Sequence, residues 1–387
     1  THKQTASRDK WLDSYDYIVI GSGSAGAPVA HRLTEDTAVT VLLLEDGGPQ
    51  SVITDIPENY IQNLNTEYDW GYKNIPQTAQ GGIGVAFTGQ QIPQNRGKVL
   101  GGSSTLNAII YNRGNSRDYD HWAREYGARG WAYQDVLPYF MRFENNTDPK
   151  LVAEHPGYHS VDGPVQVRSW DRPEPIMRYH QKALHELGHK NTNINGPQQV
   201  GTCLMQTFQR MDGMRSSTAN SYLDPNPHHR NLHILTRALA TKILLSAVRG
   251  LSADAVEFYR DGKSHVVKAK REVIVSAGAI NTPQLLMLSG IGPKAHLKSM
   301  KIPVKVDLPV GEYLKDHPSI SLPTLVRDAG AVHPAGELTV RQLHDYFTNA
   351  SGPLTEFFHS ITYLSTKSNA DKDYPNVAFE TVGENIG

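Results

Sequence analysis

Apolar and polar positions fall into blocks along this chain, and their order is the first guide to its fold. Tyr17-Ile18-Val19-Ile20 is an unbroken apolar run with the length and branching of a strand buried on both faces. Six residues with three glycines follow, and then a helix-like run through Ala27, Val29, Ala30 and Leu33. A second apolar run, Val39-Thr40-Val41-Leu42-Leu43-Leu44, closes a first βαβ unit over residues 14–48. Residues 1–13 are polar and read as an extended arm. Residues 49–95 are rich in Pro, Gly, Asn and Gln with few periodic apolar positions, an excursion of a length uncommon without a function. Helical steps return over residues 118–143 (Trp122, Tyr126, Trp131, Val136, Leu137, Tyr139, Phe140), broken at Gly127, Gly130 and Pro138.

Over residues 232–276 the chain changes character to short β-rich runs. Leu232–Leu235, Ile243–Val248, Ala255–Tyr259, His265–Ala269 and Val273–Ser276 read as short strands, with Asp261-Gly262 as a two-residue hairpin turn. These predict an antiparallel meander beside the parallel sheet. Thr282 to Ser289 reads as a short helix with Pro283 in its first turn. From Val326 the pattern weakens, and Tyr374 to Phe379 looks like a strand entering a sheet. The class is α/β.

Composition narrows the function by exclusion. The 387 residues suffice for two or three domains, and a net charge of −1 gives no surplus for nucleic acid or an anionic membrane. No apolar run approaches the roughly 18 residues of a bilayer span. Cys203 is the only cysteine, so no intramolecular disulfide forms, and a small buried apolar role suits it. The chain starts at Thr1 without a secretory apolar core, so an N-terminal segment has been removed or the sequence starts late. Two glycosylation sequons, at Asn145 and Asn349, and the style of residues 49–95 suggest a secreted, extracellular glycoprotein.

The chemistry concentrates in two glycine-dense turns. In Gly21-Ser22-Gly23-Ser24-Ala25-Gly26, Gly21 allows the tight turn, Gly23 admits a pyrophosphate to the backbone, and Gly26 lets the helix pack close. The helix start offers unpaired N–H groups to phosphate. Glu45, at the end of the second strand, is placed to accept from ribose hydroxyls, and with Asp46 it would repel a 2′-phosphate. Arg96 to Asn107 is a second turn dense in backbone and hydroxyl donors, including Gly102 and Ser103, which suits an anion. Its apolar pair Val99-Leu100 indicates that one side of the loop is buried.

That second block carries a resemblance. Gly97, Lys98, Gly101-Gly102-Ser103-Ser104, Asn107, Tyr111, Gly114 and Asp120 match the first signature of the glucose–methanol–choline (GMC) oxidoreductases. Gly278-Ala279, Thr282-Pro283, Leu285-Leu286 and Ser289-Gly290-Ile291-Gly292 match the second. The chain resembles this family from residue 14 to about 380. The resemblance implies a Rossmann-like FAD-binding domain over residues 14–317, with a mixed sheet and antiparallel β-meander. Within it, 150–212 contribute to the substrate side, and 318–387 begin an incomplete α+β substrate domain. It implies FAD, with adenine over Gly21–Gly26 and Glu45 and flavin near Val99, Gly102, Asn107, Ala108, Ile109 and Ile110. Ala240 stands where a backbone contact to adenine is made, and Ala277 and Gly278 complete the set. Some members attach FAD through a histidine in the first signature; Leu106 occupies that position here, so non-covalent FAD is expected. Tyr313 departs from the family's usual Asn.

The implied reaction is oxidation of an alcohol CH–OH (a sugar, an aryl alcohol, a cyanohydrin) by hydride transfer to flavin N5, with a protein base taking the proton. In the family the base lies late in the chain, in a region with no match here. His121, His155, His159, His180, His317 and His359 read as surface or structural, so the base is expected outside this chain. Natural cleavage with a second polypeptide completing the fold, partial production, and a pseudoenzyme all remain open; a sheet lacking its last segments would expose apolar surface, which favours the first two. The alternatives are a hydroxynitrile lyase with structural FAD and a non-catalytic flavin-binding descendant.

Overall fold

The computed structural model describes residues 7–77, 88–169, 175–224, 226–246, 251–322, 339–355 and 359–382. The chain divides into two compact units. The first is Thr1–Asp55, Asn59–Asn107 and Ser217–Ile320, and the second is Ile56–Glu58, Ala108–Ser216 and Ser321–Gly387. The segment 150–212 lies within the second unit, which also takes in 108–149.

A six-stranded mixed sheet organises the first unit. Its order is Leu239–Ser246, Ser252–Arg260, Lys263–Val275, Ser14–Ile20, Val41–Leu44, Leu232–Leu235. The strand Ser14–Ile20 is parallel to both neighbours, whereas the first three strands in this order pair antiparallel. Within the parallel strands the runs Tyr17–Ile20 and Val41–Leu44 are apolar at every position, as a sheet covered on both faces requires. Ile18, Ile20, Leu42 and Leu44 enter one core with Phe258, Val267 and Leu285. Val19, Val41 and Leu43 are equally buried, as are Ala27 and Ala30 of the helix Gly26–Leu33.

The predicted meander is present with different bounds. The runs at 265–269 and 273–276 are one strand of 13 residues, Lys263–Val275, whose end pairs with Ser14–Ile20. Antiparallel meander and parallel sheet are therefore continuous. The turn at Asp261-Gly262 forms as read, with φ of +51° and +77° joining the pair Arg260 and Lys263. The helix expected at 282–289 instead spans Gly278–Leu288, so Pro283 sits inside it, past the first turn. The arm is tied to the sheet, since Arg8 donates its N–H to the Ile234 carbonyl at 2.9 Å.

In the second unit the aromatic stretch forms two helices, Ser116–Glu125 and Tyr133–Phe143, the first opened by an Asn115–Asp118 capping box. Gly127 and Gly130, both at positive φ, turn the chain between them. A three-stranded antiparallel sheet orders Val377–Val382, His359–Leu364 and Gly201–Leu204. The strand anticipated at 374–379 begins at Val377. Of the stretch from Val326 where the pattern weakens, 326–338 lie outside the described residues, and Thr339 caps a helix, Val340–Asn349.

Candidate functional site

The carboxyl end of Ser14–Ile20 delivers the first of the two turns that the sequence singles out, and the chain leaving Val41–Leu44 carries Glu45 and meets the second turn through a Gly48–Val99 bridge. Gly21 takes φ +93° and donates its N–H to the Leu44 carbonyl at 2.8 Å, joining the strand ends. A Cβ on Gly26 would lie 1.8 Å from the Gly21 carbonyl oxygen, so only glycine lets this helix start so close to the strand. Gly102 meets Gly23 from the other turn: a Cβ on Gly102, at φ +54°, would fall 2.7 Å from Gly23 Cα. The two turns thus approach backbone to backbone. Above them Ser24, Ala25, Ser103 and Asn107 are exposed, and the helix Gly26–Leu33 has no side-chain cap at Ala25. Open donors at a helix start beside a glycine seam fit a diphosphate-bearing nucleotide.

Glu45 is nearly buried and already engaged. Its Oε2 accepts from the Ser22 N–H (3.0 Å) and hydroxyl (2.7 Å), and its Oε1 from the Gly47 N–H (2.9 Å). Burial holds its carboxyl above the usual carboxylate range despite those bonds. Oε1 retains acceptor capacity for a ribose hydroxyl. Ser22 is fully buried and accepts from the Gly101 N–H at 3.3 Å, so it ties the acid and both turns together. Ser22 therefore serves the turns; both of its donors face Glu45, which leaves it none for a nucleotide. Asp46 pairs with Lys98 Nζ at 3.0 Å, and that ammonium lies over the Trp70 ring.

The remaining expected residues separate between the units. Val99 is buried, and its loop bridges Gly48. Arg96, Gly102, Ser103 and Asn107 share the first unit with Ala240, Ala277 and Gly278. Ala240 pairs with Phe258 beside a register shift. Ala277 precedes the helix Gly278–Leu288, and a Cβ on Gly278 would meet nothing within 4 Å. Ala108, Ile109 and Ile110 belong to the second unit. There Ile109 holds φ +50°, an outlier for a branched residue, and its carbonyl accepts from the Phe208 N–H at 2.7 Å.

The sequence missed Asp69. Its Oδ1 accepts from the N–H groups of Arg96 (2.9 Å) and Gly71 (3.1 Å), and its Oδ2 from the Asn65 N–H (2.8 Å) and the Asn95 amide (2.5 Å). Burial alone would raise its pKa, but the four bonds prevail and hold it below the usual range. A lone acid in a polar excursion has no spacing signature that would reveal this role.

The histidines of the second unit have structural settings. His159 Nδ1 meets Glu144 Oε1 at 2.8 Å, and its Nε2 meets the Asn193 amide at 2.8 Å. Glu144 also takes the Arg113 guanidinium, which in turn reaches the Tyr111 hydroxyl at 2.6 Å; all four residues are buried. His180 lies 3.1 Å from the Ser360 hydroxyl and 3.0 Å from that of Thr381, and burial lowers its pKa. His121 packs edge-on against Tyr126, and His155 against His159. In the first unit His317 is exposed, its N–H bonded to its neighbour Asp316. His359 opens its strand. Burial pushes the Cys203 thiol up to about 12, and the residue packs, partly buried, against the Ile194, Met205 and Ile361 cluster. No cluster of three or more metal-ligating side chains occurs, and no helix is long and apolar enough to cross a membrane, among the described residues.

Comparison with known proteins places this geometry. A family model described as GMC oxidoreductase matches residues 15–319. The chain is similar to the oxygen-dependent choline dehydrogenase of Brucella anthropi, 37% identical over 375 residues, covering 94% of this chain and 64% of that one. Among solved structures it resembles an FAD-dependent oxidoreductase from Chaetomium thermophilum (TM-score 0.77, 28% identity, 91% of this chain and 62% of that one). It also resembles pyridoxine 4-oxidase from Mesorbium loti (TM-score 0.69, 30% identity, 76% and 56%). The chain spans less than two thirds of the length of these relatives.

Proposed function

The chain belongs to the GMC oxidoreductase family, and from that premise we propose that it holds FAD without a covalent link and takes part in oxidising an alcohol CH–OH group. The observation that carries the proposal is the backbone contact between the Gly23 and Gly102 turns, with open donors above it. In this reading the diphosphate lies against Gly23, Ser24, Ala25 and Ser103. Glu45 Oε1 accepts from the ribose, and the chain from Val99 to Asn107 supports the flavin side. Leu106 is buried and offers no nucleophile for a covalent bond. When bound, the flavin supplies the two-electron acceptor that no side chain can provide.

This chain's own part is to bind and orient. The Ser22–Glu45–Gly101 bonds fix the two turns before any ligand arrives, which lowers the ordering cost of binding. We place the proton acceptor in the part of the relatives' length that this chain does not span; engagement of His159 and His180 with protein partners supports that reading. Primary alcohols head the list of substrates, since the similar proteins are named for choline and pyridoxine.

The test is anaerobic addition of choline, pyridoxine, aryl alcohols and sugars to the full protein. Bleaching of the visible flavin bands by one of them is the expected result. Release of cyanide from a cyanohydrin without bleaching would replace this reading with the lyase.

A further inference from the structure

We propose that Asp69 is a positioning residue for the flavin nucleotide, setting the shape of the second glycine turn without touching the ligand. This rests on the FAD reading above. The excursion around Asp69 is strapped to the start of that turn by backbone as well as by the carboxylate. Trp70 donates its N–H to the Arg96 carbonyl at 2.9 Å, and Lys98 donates to the Tyr68 carbonyl at 2.6 Å. Asp69 takes the Arg96 N–H and the Asn95 amide directly, and so fixes the backbone entering Gly97.

Gly97 leaves no slack. A Cβ there would lie 2.3 Å from the Gly102 carbonyl, and its N–H donates to the Ser103 hydroxyl at 3.1 Å. Gly102 in turn faces Gly23. A shift at Arg96 therefore passes through Gly97 into the seam, because close-packed backbone cannot absorb it. A neutral amide at position 69 would point an NH2 group at two donors, losing about half of the four bonds.

Apo-protein prepared from the full protein is titrated with FAD by fluorescence quenching, and the thermal midpoint of each apo variant is recorded. Asp69→Asn is expected to raise the FAD Kd at least tenfold. Asn95→Ala, which removes one donor, should raise it about two- to fivefold and carries the test alone if Asp69→Asn does not fold. Asn231→Ala is the structural control, because its amide serves the Thr34, Asp36 and Val39 carbonyls at the amino end of the sheet. It should lower the midpoint while leaving Kd within about twofold. Unchanged affinity in the Asp69 and Asn95 variants, or a loss that Asn231→Ala reproduces, overturns the proposal. A wild-type protein that takes up no FAD overturns the cofactor reading itself and this inference with it.

Discussion

The glycine seam of the first unit and the Arg113–Glu144–His159 knot of the second both order polar groups, by opposite means. In the seam, side chains are deleted so that backbone can meet backbone and leave its donors facing outward. In the knot, long side chains carry the charge inward, and the contacts of Glu144 with Arg113 and His159 are made out of water. An outward-facing backbone can receive a ligand, whereas a closed network of side chains can only hold its own unit together. The seam therefore reads as a site and the knot as scaffold, although the knot holds more titratable groups.

The knot offers the largest expected effect. Glu144→Ala leaves the buried Arg113 guanidinium without its counter-charge and should cost about 3–5 kcal/mol in denaturant unfolding. A loss below about 1 kcal/mol would mean that water reaches the knot. Gly26→Ala comes next: with a Cβ 1.8 Å from the Gly21 carbonyl, it should destabilise by about 3 kcal/mol and abolish FAD uptake. Retained FAD in that variant would contradict the tight packing of the first turn.

Acid then separates the two carboxylates of the first unit. Asp69 has a folded-state pKa below its unfolded value, so its stabilisation is full above the unfolded pKa, near about 4, and fades as pH falls through the folded one. Glu45 has the opposite sign: its raised pKa gives stability present below the unfolded pKa and lost as pH rises through the folded one. The gap in unfolding free energy between wild type and Asp69→Asn, about 1–3 kcal/mol at pH 7, should narrow as pH falls toward 3. A gap independent of pH would show that the charge is not what holds the loop. Smallest is Asp46→Asn, which loosens a half-exposed pair with Lys98 and should cost about 0.2–1 kcal/mol, shrinking with salt.

Sequence reasoning succeeded where a single residue type has a single physical meaning. Gly21 and Gly26 are legible because a Cβ there would strike backbone, and the Asp261-Gly262 turn because few residue pairs take positive φ at both positions. The apolar runs at 17–20 and 41–44 are legible because a sheet covered on both faces needs them. The reading stopped at polar side chains whose partners lie far along the chain. Nothing near Asp69 announces its bonds to Asn95 and Arg96, and Ser22 looks like a phosphate donor until Glu45 is seen facing it. Helix bounds failed for a local reason: Pro283 looks like a helix start, yet Gly278 begins the helix five residues earlier.

The most direct measurement is the amount of FAD released when the purified full protein is denatured, compared with its Gly102→Ala variant. About one FAD per chain is expected from the wild type and little from the variant, whose added Cβ would press on Gly23. A colourless wild type that binds no added FAD, or a variant that holds as much as the wild type, would contradict it.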